Sequence, residues 1–298
     1  MGYFFTLMML MLVIGLFADG CPAAEAGGET GKSGSRSGGT PLDWDAQISI
    51  LHLPSASFQN IPAEAGITDY RIKATRNVKA DQSLTLTLGA GYGLKQIDAP
   101  SRANLPQDLH ALFLEAGASY RINDRSFASL KLYPGFYSDF KELGTDDLRM
   151  PTLALGGYSF ENGISVVGGF IYRFGYRAGQ FIPALGFRYQ PDKYWRIDLI
   201  APRPGVTYFA SSKLQLFAAG DFASEEYELK DRSLGAKAIR YGDYKAMAGF
   251  SYLPNSAIRL TTSAGYAFER WFVFYDATRS DMRLDNVPFF KVSLDVGW

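Results

Sequence analysis

One cysteine, Cys21, and two histidines, His52 and His110, are all that this 298-residue chain offers to thiol and imidazole chemistry. No His/Cys spacing for a metal can be built from them, and no disulfide framework follows Cys21. Net charge is missing as well, since 30 Lys and Arg balance 30 Asp and Glu. That removes the electrostatic footprint on which nucleic-acid binding depends, so no nucleic acid is expected as a partner. Long apolar runs are absent save one, Tyr3 to Ala18, which precedes Ala24-Glu25-Ala26. It is too short and too terminal for a membrane helix and reads as a secretory signal peptide over residues 1–26, although its leading end has no Lys or Arg. Cys21 supplies the competing reading of a lipoprotein, on the poor lipobox Ala18-Asp19-Gly20. Cleavage after Ala26 would leave the mature chain without cysteine. Residues 27–42 are a Gly/Ser-rich linker with nothing to bury, expected to be disordered.

From residue 43 onward no amphipathic helix of useful length appears, and alternation of period two takes its place. In Ser83 to Leu94 the even positions Leu84, Leu86, Leu88, Ala90, Tyr92 and Leu94 form one apolar face, while the odd positions are only Ser, Thr and Gly. Leu112 to Arg121, Ser165 to Gly175 and Ile258 to Glu269 repeat the scheme. The connections alternate in kind. Short turns lie at residues 79–81, 123–125, 161–163, 190–193, 211–213 and 253–256. Between them come longer links at 54–66, 98–107, 141–149, 177–180, 201–205, 230–241 and 277–286. This asymmetry is that of a membrane barrel with tight periplasmic turns and larger extracellular loops. The expected fold is all-β: a transmembrane antiparallel up-and-down β-barrel over 43–298 with 14 strands, or 12 if the segment 201–205 is an irregular excursion. The 18 Tyr and 22 Phe fit it. Tyr120, Tyr189, Trp195, Tyr252 and Trp298 fall outward near the turn end, and Tyr92, Phe136, Phe174, Tyr176 and Phe268 near the loop end, as two girdles.

The final strand carries the pattern most cleanly. Phe290, Val292, Leu294, Val296 and Trp298 share one face, opposite Lys291, Ser293, Asp295 and Gly297. It resembles the terminal strand of bacterial outer-membrane β-barrels, in which a C-terminal aromatic closes the sheet and is read by the assembly machinery. The stretch Tyr189 to Phe222, through Arg196-Ile-Asp-Leu-Ile-Ala-Pro202 and Leu216-Phe-Ala-Ala-Gly-Asp-Phe222, is similar to one in a family of bacterial outer-membrane barrels of unknown function. That resemblance implies a Gram-negative outer membrane, with its lipid and its assembly machinery as partners; it implies no activity.

Parity places Asp69, Arg71, Lys73, Glu115, Arg121, Lys131, Arg173, Arg188, Arg196, Asp198, Asp221, Lys245, Arg259, Glu269, Lys291 and Asp295 on the inner face. An outward Arg or Lys at the bilayer midplane would cost about 2–4 kcal/mol, which forces them in. They are candidates to line a lumen for small solutes, with Arg173, Arg188 and Arg196 on successive strands as a basic ladder favouring anions. Inward glycines such as Gly91, Gly117, Gly169 and Gly249 would leave such a lumen open, or else serve strand curvature. The leading expectation is a passive or weakly selective channel. A non-conducting scaffold whose loops bind a partner is the alternative, and a hydrolase built on His52 or His110 comes third. No cofactor or metal site is expected.

If the terminal aromatic is an assembly signal, Trp298→Ala lowers the fraction of protein that reaches the membrane in a heat-modifiable form. Semi-native electrophoresis reads this, and an unchanged folded fraction would refute the signal.

Overall fold

Alternation becomes strand because each segment has one face to hide from water and one that tolerates it. The computed structural model describes residues 44–298 apart from 202; the expected signal peptide and linker, Cys21 and Asp43 lie outside the described residues. The first half of the sheet holds β1 (Trp44–Ser57), β2 (Glu64–Lys79), β3 (Leu84–Asp98), β4 (Asp108–Arg121), β5 (Ser126–Leu132), β6 (Gly135–Ser138), β7 (Leu148–Ser159) and β8 (Ile164–Phe174). The second holds β9 (Phe181–Tyr189), β10 (Trp195–Ile200), β11 (Gly205–Phe209), β12 (Leu214–Glu228), β13 (Ala238–Tyr252), β14 (Ile258–Tyr275), β15 (Met282–Leu284) and β16 (Val287–Gly297). β5 and β6 are one wall position interrupted at Tyr133-Pro134, both lying between β4 and β7. β15 and β16 likewise share the position beside β14. β1 pairs antiparallel with β16 from Asp45↔Gly297 to His52↔Phe290, which closes the ring. The fold is therefore an all-β, closed antiparallel barrel of 14 strands.

The count of 14 rather than 12 rests on the segment 201–205, which is a true hairpin: β10 and β11 pair from Trp195↔Tyr208 to Asp198↔Gly205. It is a short one, with strands of 6 and 5 residues, against about 9–11 for a strand that crosses a bilayer. Outward parity leaves Leu88, Leu114 and Leu185 each at least 60% exposed. A contiguous belt of such residues is not tolerated in water and marks a surface made for an apolar medium. At the turn end Tyr120, Trp195, Tyr252 and Trp298 stand exposed, and Trp44 stacks on Trp298 across the closing seam with ring centroids 6.2 Å apart.

The loop end departs from a plain cylinder. β11 accompanies β12 only to Gly205↔Ala219. Beyond that point β12 runs on through Glu228, leans inward and pairs in parallel with β6 at Glu228↔Ser138. The Asp139 carboxylate fastens the junction, accepting the backbone N–H groups of Lys230 and Asp231, each at 3.0 Å. On the far side Phe58 bridges to Leu284, and the Asp285 N–H donates to the Ser57 carbonyl at 2.9 Å. The loop ends of β1 to β4, β6, β12 to β14 and β15 thus form a smaller closed ring, leaving β7 to β11 outside it. A bulge aids the bend. β14 carries one residue more than β13 between Tyr244↔Phe268 and Gly242↔Trp271, with Glu269 at φ 46. Such bulges sharpen strand twist.

This ring is filled. Leu53, Ile67, Leu109, Tyr137, Ile239 and Phe272 are each no more than 2% exposed within one apolar core. A second cluster, Phe127, Leu153, Leu155, Val167, Ile171 and Ile182, coats the inner wall of β5, β7, β8 and β9. Three expectations change as a result. The bulge turns Glu269 outward, where it is exposed and lies 3.6 Å from Arg283, so it is not an inner-face charge. Gly175, at φ +84, reverses the alternation after β8, and Tyr176 is buried rather than part of the outer girdle. The inward glycines do not simply hold space open: a Cβ on Gly91 would lie 2.3 Å from the Phe113 ring, and one on Gly249 would lie 2.8 Å from the Phe217 ring.

Phe272 packs on Tyr241 and Phe58 in the small ring, with centroids 5.1 and 6.4 Å away. Phe272→Ala should cost about 3–5 kcal/mol, as large-to-small changes in packed cores do. Leu88→Ala, on the outer face, should cost far less in detergent. Urea unfolding of the refolded protein measures both, and equal losses would contradict a packed loop-end core.

Candidate functional site: the barrel interior

Because the outer face is apolar, the polar chemistry of the wall is gathered inside, and it is arranged in tiers. Nearest the turn end, short hydroxyl side chains face each other across strands: Ser119 and Ser129 at 3.0 Å, Ser159 and Ser165 at 2.9 Å, Ser251 and Thr261 at 2.8 Å. Asp198 of β10 draws in two guanidinium groups there, Arg188 Nε at 2.5 Å and Arg196 Nε at 2.9 Å. Gln47 donates to Asp295 at 2.6 Å. Arg121 lies exposed at the turn-end mouth. Arg259 is in register with Asp295 on the neighbouring strand.

At mid-height Glu115 is 2% exposed and is shared by two ammonium groups, Lys73 at 3.1 Å and Lys131 at 3.2 Å. Lys245 is paired with Asp243, and Arg203 Nε holds Asp221 at 3.1 Å. Lys291 also faces inward at this level.

The next tier crosses the interior. Arg71 of β2 is paired with Glu225 of β12, and its Nε also binds Asp69 at 3.0 Å. Lys95 of β3 is paired with Asp69 and lies 3.2 Å from Glu225. The Tyr227 hydroxyl donates to Glu225 at 2.7 Å, and the Lys95 ammonium sits 5.4 Å from the Tyr241 ring centre. The void left among these groups is about 10 Å³, room for about one water molecule. Above it begins the apolar core.

Beside the small ring, the outer face of the β12 tip meets the loop ends of β7 and β8. Arg149 reaches Glu226 at 3.3 Å and Glu228 at 3.2 Å; Arg177 reaches Glu228 at 2.7 Å. Arg173 Nη1 donates to the Gly179 carbonyl at 3.1 Å, and its guanidinium lies 4.2 Å from the Tyr176 ring centre. Lys230, in the loop after β12, hydrogen-bonds Asp146 and thereby holds that carboxyl below its ordinary range.

The structure thus brings Arg71, Lys73, Glu115, Lys131, Asp221, Lys245 and Lys291 to the middle of one interior. The basic ladder is not formed. Arg173 sits at the loop end of β8 while Arg188 and Arg196 sit at the turn end, because successive strands run in opposite directions and parity alone does not set height. The groups that parity reasoning missed, Lys95, Glu225, Glu226 and Glu228, belong to the loop-end halves of strands. The histidines are not brought together. His52 Nδ1 lies 3.0 Å from the Thr68 hydroxyl on β2, and His110 Nδ1 lies 2.7 Å from the Tyr92 hydroxyl while its ring stacks on Phe140. No group of three or more His, Cys, Asp or Glu placed to hold a metal occurs among the described residues.

No protein-family model matches the chain, and no curated protein does. Among solved structures it is similar in fold to an outer membrane channel from Pseudomonas putida F1, with a TM-score of 0.52 and 10% identity over 87% of this chain and 97% of that one. The translocator domain of the autotransporter NalP from Neisseria meningitidis gives 0.41 and 14% over 88% and 90%. The TodX monoaromatic hydrocarbon channel, as its deltaS2 mutant, gives 0.47 and 10% over 86% and 90%. At such identities the likeness is one of fold: a closed barrel of the outer-membrane kind.

Proposed function

We propose that the chain is an outer-membrane β-barrel that carries small solutes as a normally shut channel, turns toward the periplasm and loops outside. The observation that carries this reading is the ion-paired tier of Arg71, Asp69, Lys95 and Glu225 across the interior. Below it the inner face carries polar groups beside the Phe127–Ile182 cluster; at it, and in the apolar core above it, the path closes on side chains rather than on backbone. A barrier of side chains can be moved by rotamer changes, whereas a wall of hydrogen-bonded strands cannot. A second reading is supported by the packed core of the small ring: a non-conducting scaffold whose stiff loop end presents a surface to a partner.

One experiment separates them. In planar bilayers the wild-type protein should show rare, small unitary currents. The double variant Arg71→Ala with Glu225→Ala, which removes the cross-interior pair without stranding either charge, should raise the open fraction about tenfold or more, the factor expected when an ion pair worth about 1.4 kcal/mol no longer favours the shut state. Silence from both proteins at every voltage would retire the channel and leave the scaffold.

A further inference from the structure

The mid-height tier is unequal in charge. Glu115 is claimed by two lysines, Asp243 by Lys245 and Asp221 by Arg203. Lys291 is left over: it makes no hydrogen bond or ion pair with any described residue, and Arg203, Asp221, Arg71 and Lys245 are the strongest charges acting on it through space. An inward ammonium in cationic company, with no carboxylate of its own, is poised for an anion that is not part of the chain.

Leu51 faces it on β1, and the hydroxyl side chains around it point the same way as the charges. Lys291 is in register with Ser263 on β14, and the next inward residue of its own strand, Ser293, is in register with Ser49 on β1. Ser49, Ser263 and Ser293 share the inner face with Lys291 by parity, and none of their hydroxyls is engaged by a described residue. Hydroxyl donors beside an ammonium suit the several oxygens of an oxyanion, and such charge-assisted hydrogen bonds are the strong ones. A bare halide has less use for them.

We infer an oxyanion-binding station on the inner wall, in which Lys291 supplies the charge and Ser49, Ser263 and Ser293 the directed donors, for sulfate, phosphate or small carboxylates entering from the turn end. This deepens the channel reading, resting on it for the route of entry, but binding is measurable without conduction. The probe is inorganic sulfate, titrated against the thermal unfolding of full-length protein refolded in detergent, with sodium chloride holding ionic strength constant. Wild type should show a saturable rise in Tm with sulfate that chloride does not reproduce. Lys291→Gln should weaken the apparent affinity about tenfold, the factor expected for losing one charged hydrogen bond. Lys213→Gln, at an exposed turn, should leave it unchanged. Ser263→Ala with Ser293→Ala gives an independent arm, expected to weaken sulfate binding several-fold while leaving the charge intact. No sulfate-specific shift, or the same shift in Lys291→Gln and in the serine variant as in wild type, overturns the station. A sulfate shift in a protein that passes no current keeps the station and removes the channel; current without a sulfate shift does the reverse.

Discussion

A sheet that closes on itself with one greasy face has no choice about where its charges go. Once β1 meets β16, no edge remains on which an awkward side chain can be parked, and the apolar outer face leaves the interior as the place for most ionised groups in the wall. The interior must then pair what it receives, because an isolated buried charge is far more expensive than a paired one. The cross-interior contacts of Arg71 and Lys95 with Glu225 follow from that constraint. They join β2 and β3 to β12, strands that are not neighbours in the sheet.

The barrel also has to reconcile two circumferences. All 14 wall positions are present near the turns, but the β10–β11 hairpin stops early and leaves β12 without a partner on one side. An unpaired strand edge is costly in a dry environment and hazardous in a wet one, and β6 meets that edge at its tip, through the pair Glu228↔Ser138. The transfer has a consequence for side chains. Above Phe222, β12 no longer separates a medium outside from a lumen inside, since protein packs on both of its faces. Glu225 and Tyr227 therefore serve one side while Glu226 and Glu228 serve Arg149 and Arg177 on the other.

That episode also shows what was legible in the sequence. Where a strand has one apolar face and one polar face, as in Leu84 to Leu94 or Phe290 to Trp298, period-two reading recovers its existence, its direction and which side chains point in. The alternation of short turns with longer links then gives the strand number, including the brief hairpin at 201–205. The method fails where the two-sided premise fails. Ser224-Glu-Glu-Tyr-Glu228 has no greasy face at all; that run of acids on a strand was itself a sign that both sides were covered by protein, but it could not say by which residues. Glu269 and Tyr176 were misplaced for a related reason. Glu269 is itself the positive-φ residue of a bulge and Tyr176 follows a glycine with positive φ, and each irregularity resets the phase of everything after it. Height was the other blind quantity: Arg173, Arg188 and Arg196 share a face without sharing a level.

The tiers differ in how completely they neutralise themselves. In the cross-interior tier two cations meet two carboxylates, Arg71 and Lys95 against Asp69 and Glu225, and the group lies under an apolar core. Toward the turn end the pairing loosens. Glu115 and Asp198 each serve two cations, and Lys291 has none to itself. Glu115 is itself almost inaccessible, so surplus positive charge beside it is costly unless water or a mobile counterion reaches it. In a chain whose total formal charge is zero, the surplus inside is matched by acids elsewhere on the molecule, so the field it creates is local to the interior.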